Sequence, residues 1–226
     1  LGMVGWAEIE SLIRQYSVVQ PHMEVDPFEA LIRTILSQNT NDLNSYRAFE
    51  SLKGRVGMTP AALASADVGT IAESIRMGGL YNLKAARIKL VSEELLVRYP
   101  RGLAFLKELG DEEVRRALSG LKGVGPKTVD IVLAFSLGRD VIPVDTHVNR
   151  VSKRMGYANP KAGYRAVKEA LEAAVPPGKR LLAHFALITH GRRTCKALRP
   201  LCGSCPVRST CSYYRLSKGR GVGGRA

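Results

Sequence analysis

Cysteine is confined to one short stretch of this 226-residue chain, with four residues between positions 195 and 211 and none before. That excludes a disulfide framework running through the fold. No segment approaches the roughly 18 consecutive apolar residues of a membrane helix, and the N-terminal LGMVGWAEIE carries Glu8 and Glu10 where a signal peptide would be basic. A soluble, intracellular protein of cytoplasm or nucleoid, with no membrane partner, is therefore expected. Alternation at the period of a strand is scarce. Acidic residues are missing from 191 to 226, where Arg192, Arg193, Lys196, Arg199, Arg208, Arg215, Lys218, Arg220 and Arg225 supply nine of the fourteen net positive charges.

What is present describes a globular, basic, helical chain. A hydrophobic fraction of 45% with 24% charged residues excludes disorder over most of the length. The length fits one large domain or two small ones, burying about 70% of the unfolded surface. The concentrated positive charge points to a polyanion such as nucleic acid, with a basic surface serving solubility as the alternative. Apolar residues recur at helical spacing: Ile9, Leu12, Ile13 and Tyr16; Phe28, Leu31, Ile32 and Ile35; Leu90, Leu95 and Val97. Asp26-Pro27, Thr59-Pro60, Asp111 before Glu112-Glu113, and Asn159-Pro160 read as helix starts. About ten helices are expected, followed by a disordered basic tail over 217–226.

The cysteines Cys195, Cys202, Cys205 and Cys211 form a C-x6-C-x2-C-x5-C array. Four in so short a span suit the ligands of one metal centre. Zinc sites usually pair two C-x2-C knuckles across a longer loop, whereas iron–sulfur clusters take four thiolates from irregular compact runs. The spacing favours a [4Fe-4S] cluster, with zinc and structural disulfides as alternatives.

Between Leu121 and Arg150 the sequence runs LKGVGPKTVDIVLAFSLGRDVIPVDTHVNR. Gly123-Val124-Gly125 predicts a tight turn, and Pro126 a helix carrying Val129, Ile131, Val132, Leu133 and Phe135. With Asp111 to Leu118 as the first arm, this is helix, hairpin, helix. Glycines bring backbone amides close to an anion and the second helix's dipole reinforces them, so the turn suits a phosphate. An ordinary glycine-capped connection is the alternative. Asp145 reads as a helix N-cap, Lys127 as a solvated lysine and Leu80 as core when each is taken alone.

Taken together, ILSQNTND (35–42), GGLYNLKAARI (78–88), LKGVGPKTVDIVL (121–133), VDTHVNRV (144–151) and HGRRTCKALRPLCGSCPVRSTC (190–211) resemble the endonuclease III family of base-excision DNA glycosylases. The resemblance implies an all-α, two-lobed fold. A six-helix barrel with the helix-hairpin-helix would span 27–139, and an iron–sulfur cluster lobe 1–26 with 140–226, DNA lying in the groove between them.

The resemblance also implies roles. Lys127 is the nucleophile of bifunctional glycosylase/lyases, where other relatives carry serine or tyrosine; in the first helical turn the positive dipole end disfavours its ammonium form. Asp145 is the carboxylate that stabilises positive charge at the sugar C1′ and helps move the proton that frees the amine, with His147 a minor support. Gly123, Val124, Gly125 and Thr128 hold DNA phosphate. Leu80 and either Gln38 or Asn39 fill the gap left by the flipped nucleotide, the bacterial S-A-Q-A-T-D pattern aligning its glutamine with Asn39. Cys195, Cys202, Cys205 and Cys211 hold a [4Fe-4S] cluster, structural in role with redox sensing as the alternative, whose basic arm, Lys196 to Leu201, offers Lys196 and Arg199 to phosphate. The implied activity is excision of oxidised pyrimidines such as thymine glycol from damaged double-stranded DNA, followed by β-elimination. Alternatives are a mismatch glycosylase removing T or U opposite G, or adenine, and a non-catalytic iron–sulfur DNA-binding protein. Hairpin and cluster both work within one chain, so a monomer is expected.

Overall fold

In a computed structural model of the chain, which describes residues 4–20 and 25–219, the helices begin largely where proline and capping chemistry place them. After α1 (Trp6–Tyr16), Asp26 caps α2 (Pro27–Ser37), its carboxylate accepting from the amides of Phe28 and Glu29. Asn41 caps α3 (Asp42–Arg55) and Thr59 caps α4 (Pro60–Ser65). Asp67 caps α5 (Val68–Ser74), and a short 3-10 turn, Arg76–Gly78, leads into the long α6 (Tyr81–Arg98). A second 3-10 segment, Ala104–Glu108, precedes α7 (Asp111–Ser119) and α8 (Pro126–Phe135). Then follow α9 (Thr146–Met155), α10 (Tyr164–Ala174), α11 (Arg180–Arg193), the 3-10 turn Cys202–Ser204 and α12 (Ser212–Gly219). Among the described residues there is no strand, and no helix long and apolar enough to cross a membrane.

The chain divides into two compact units, Met23–Arg139 and Leu1–His22 with Asp140–Ala226. In the first, α6 packs against α4 and α5, and α2 against α3 and α8. Its described residues form seven α-helices, α4 and α5 being separate helices of six and seven residues. Phe28, Leu31, Ile32 and Ile35 of α2 are all buried, as their spacing requires. In the second unit, α9, α10 and α11 enclose a core of Val148, Val151, Met155, Val167, Leu171 and Leu187. Ile9 and Leu12 bring α1 onto it. Burying two such side chains contributes roughly 3–6 kcal/mol, which holds an eleven-residue helix that would not persist alone.

Three local readings are corrected. Asn159-Pro160 starts no helix: the Asn159 side chain accepts from the Lys161 amide in a tight turn, and α10 begins at Tyr164. Asp111 is the first helical residue rather than the cap, which is Gly110. Val97 lies on the outer face of α6, 83% exposed, while Leu95 is buried. Finally, α12 extends through Gly219; residues 220–226 of the tail lie outside the described residues.

Candidate functional site

The hairpin is built in the Met23–Arg139 unit. Between α7 and α8, buried Leu121 and Val124 anchor the turn, the Val124 amide donating to the Leu121 carbonyl at 3.1 Å. Gly123 has φ +83, and a Cβ there would stand 3.1 Å from Cδ of Arg87. Only glycine meets both demands. The arms are clamped by an ion pair, Arg115 Nη1 on α7 to the fully buried Asp130 on α8 at 2.7 Å. Val124 and Thr128, both expected to touch DNA, bury their side chains, which turns that expectation toward their backbone groups.

Lys127 is the second residue of α8 and half-buried. One turn along, Ile131 lines a cleft of about 440 Å³ with Ser37, Asp42, Tyr46, Phe49 and Phe135. That size suits a small ring.

Two loops of the same unit carry the expected gap-filling residues. Gln38 is tied down, its Oε1 accepting from Arg87 Nη1 at 2.6 Å. Asn39 is exposed at the loop tip with φ 51, and Leu80 is 53% exposed with φ 48. Leu80 is therefore not core. Both tips hold non-glycine residues in the left-handed region, a conformation costing roughly 1–2 kcal/mol each.

The other unit holds Asp145 and the cysteines. Asp145 caps α9, Oδ1 accepting from the Val148 amide at 2.7 Å. Two residues on, His147 Nδ1 meets Arg150 Nη2 at 3.1 Å, and that guanidinium also donates to the Gly191 and Cys195 carbonyls. Burial lowers the His147 pKa, Asp145 opposing the shift and Arg150 adding to it. Facing a guanidinium, which can only donate, Nδ1 is the acceptor of this contact.

All four cysteines line one cavity and none is in a disulfide. Among the described residues no three His, Cys, Asp or Glu side chains converge on a point that a single ion could take. Burial, with repulsion from neighbouring thiols, raises the pKa of Cys202 and Cys211 and pushes Cys205 up to about 11. Ionising four such close thiols is unfavourable unless a positive centre compensates their charge. Arg154 supports the surrounding loop, donating to the Lys196 and Ala197 carbonyls at 2.6 and 2.9 Å and to Cys195 Sγ at 3.6 Å. Buried His190, its pKa pushed down to about 4 by burial, links the Tyr16 hydroxyl at Nδ1 (2.8 Å) to Cys205 Sγ at Nε2 (3.7 Å). Lys196 and Arg199 are exposed, Arg199 with φ 50.

Residues 32–177 match the HhH-GPD superfamily of base excision DNA repair proteins. Endonuclease III of Sulfolobus acidocaldarius is 36% identical over 188 residues, 83% of this chain and 82% of its own length. Endonuclease III of Thermotoga maritima is 35% identical over 215 residues, 94% and 96%. The chain belongs to the endonuclease III family. Membership makes it a base excision repair enzyme, a DNA glycosylase and abasic-site lyase. A solved trapped endonuclease III–DNA covalent intermediate matches at TM-score 0.81 and 28% identity, over 94% of this chain and 96% of that one. A thermostable thymine-DNA glycosylase shares the fold at TM-score 0.77 and 22% identity, over 93% and 96%.

Several supporting residues of this family member escape a reading by motif. Arg87, Arg150, Arg154, His190 and Tyr16 act through partners distant in sequence, Tyr16 and His190 being 174 residues apart. Arg150 and Arg154 do lie one turn apart in VNRVSKR, a spacing that offered a signal for two arginines facing one side of α9.

Proposed function

We propose that the enzyme excises oxidised pyrimidines, such as thymine glycol, from damaged double-stranded DNA and nicks the strand through a Schiff base on Lys127. The observation that carries this reading is a lysine in the first turn of α8, directly after the glycine hairpin. In the reaction the damaged nucleotide leaves the stack and the Lys127 amine attacks C1′. The base departs with its bonding electrons and takes a proton. The sugar ring opens to an iminium, loss of a C2′ proton expels the 3′ phosphate, and water releases the lysine. The Asp145 carboxylate stabilises positive charge at C1′ and relays the amine's proton. Gly123, Val124 and Gly125 hold phosphate through their backbone, assisted by Lys196 and Arg199. Asn39 and Leu80 fill the vacated stack; their exposure, and the pairing of Gln38 with Arg87, support Asn39 over Gln38.

The cysteines fit a [4Fe-4S] cluster held by Cys195, Cys202, Cys205 and Cys211. They surround a cavity rather than a point, as separate irons require, and Arg154 stands against them. When bound, such a cluster supplies a fixed centre for the basic arm, and no step of the reaction passes through it. A monomer comprising a barrel lobe over 27–139 and a cluster lobe from 1–26 with 140–226 completes the proposal.

Borohydride trapping on a duplex with one thymine glycol, beside undamaged and G·T duplexes, tests it. A damage-dependent covalent adduct that disappears in Lys127→Ala, with DNA binding kept, is expected. Base release without an adduct would transfer the function to a single-step mismatch glycosylase; an unchanged adduct in Lys127→Ala would remove Lys127 as nucleophile.

A further inference from the structure

The mechanism leaves one buried cation unused. Lys84, in the first turn of α6, is 4% exposed, and burial lowers its pKa. No carboxylate pairs with it among the described residues. Its three ammonium hydrogens instead meet three oxygens: the Leu36 carbonyl at 2.7 Å, Thr40 Oγ1 at 2.6 Å and the Gly78 carbonyl at 2.8 Å. Leu36 lies in the last turn of α2, whose exposed carbonyl end attracts a cation. Thr40 belongs to the loop that carries Asn39, and Gly78 to the loop that carries Leu80. The Thr40 hydroxyl, accepting from Lys84, donates its own proton to the Gly78 carbonyl, so the loops are also joined directly. Gly78 is buried against Ala48, where a Cβ would come within 3.3 Å of the alanine methyl.

This pattern differs from a generic buried lysine. Such a cation is costly unless every hydrogen is used, and each acceptor here belongs to one of the two loops or the helix end feeding one of them. Both tips sit in left-handed backbone, φ 51 at Asn39 and φ 48 at Leu80, and need surrounding bonds to hold them there. We propose that Lys84 is a positioning residue that locks the Asn39 and Leu80 tips into one preset wedge, so that entry into a duplex requires no loop ordering on binding. The proposal rests on the reading of those two residues as gap fillers. A preset wedge matters only where a base stack must be entered, so Lys84 confers duplex-dependent efficiency and does not take part in the chemistry at C1′.

Lys84→Met keeps the stem and removes the donors; Thr40→Val removes the relay and keeps the ammonium. Each is compared with wild type and Leu80→Ala for lyase turnover on an abasic site in a duplex and in a single-stranded oligonucleotide. Fluorescence of 2-aminopurine opposite the site reports wedge entry. Expected for Lys84→Met is a duplex kcat/KM lower by on the order of 100-fold, the scale of an ångström-level misplacement, a lost fluorescence rise, and single-strand turnover within about twofold of wild type. Thr40→Val shifts the duplex to single-strand ratio the same way by about tenfold, for the bond accepted from Lys84 and the bond donated to Gly78. An unchanged ratio in both variants while Leu80→Ala shifts it overturns the role of Lys84. An unchanged ratio in Leu80→Ala itself overturns the wedge reading beneath it. Equal losses on both substrates in Thr40→Val, should Lys84→Met not fold, reduce Lys84 to a fold-stabilising lysine.

Discussion

Asp145 has a structural role as the cap of α9 and, in the proposed mechanism, a chemical one, and the two separate by substitution. Its Oδ1 accepts from the Val148 amide at 2.7 Å, so Asp145→Ala removes an N-cap, at a cost of about 1 kcal/mol. In a protein of this length that lowers Tm by about 2–4 °C. The helix survives, because Val148, Val151 and Met155 lie in the core of their unit. Asp145→Asn keeps a capping oxygen of nearly equal quality and loses only the charge near the helix start, about 0.3–1 kcal/mol. The chemical role predicts no such difference: both variants lack the carboxylate and both lose excision by about 10²- to 10⁴-fold, or about 2.7–5.5 kcal/mol of barrier. Single-turnover excision from a thymine glycol duplex, measured beside thermal melts, separates the cases. If Asp145→Asn excises within a few fold of wild type, or if activity across the variants tracks Tm, the carboxylate is a cap and the chemical role fails.

Gly123→Ala places a side chain at φ +83 against Arg87 and costs about 1–2 kcal/mol; DNA affinity falls with it, and a fluorescence-anisotropy titration equal to wild type would show that the turn tolerates a Cβ. Arg154→Ala strips the donors from the Lys196 and Ala197 carbonyls, so DNA affinity drops about tenfold while Lys127 trapping persists at saturating DNA; loss of trapping at saturation would contradict a role limited to the arm. His147 has a folded pKa below its ordinary 6.5. Its contribution to stability is therefore complete above about pH 6.5 and is lost as pH falls through the lowered folded value. An NMR titration of the His147 ring with a midpoint above 6.5 would reverse that sign.

Much of this architecture was legible without coordinates, for identifiable reasons. Pro27, Pro60 and Pro126 restrict the backbone so strongly that each helix start follows from three or four neighbouring residues. The Gly-Val-Gly turn was equally local, since a positive φ at Gly123 admits little else. Asn159-Pro160 misled because the same residue types close a turn with a single side-chain bond as readily as they open a helix. Leu80 was undecided between core and wedge because hydrophobicity does not state which side of a helix start faces solvent.

The sequence by itself determined the helical class, the hairpin, the lysine that follows it and the four-cysteine array. Each is written in contiguous residues whose backbone limits or ligand chemistry act over one or two helical turns. Tertiary structure alone decided what holds those parts in place. Lys84 meets oxygens 48 and 44 residues away at Leu36 and Thr40, Arg154 reaches carbonyls 42 and 43 residues on, and His190 joins Tyr16 to Cys205. A side-chain hydrogen bond forms within about 3 Å in space whatever the separation along the chain, so the residues that position this enzyme's loops and cysteines become identifiable only once the helices have packed.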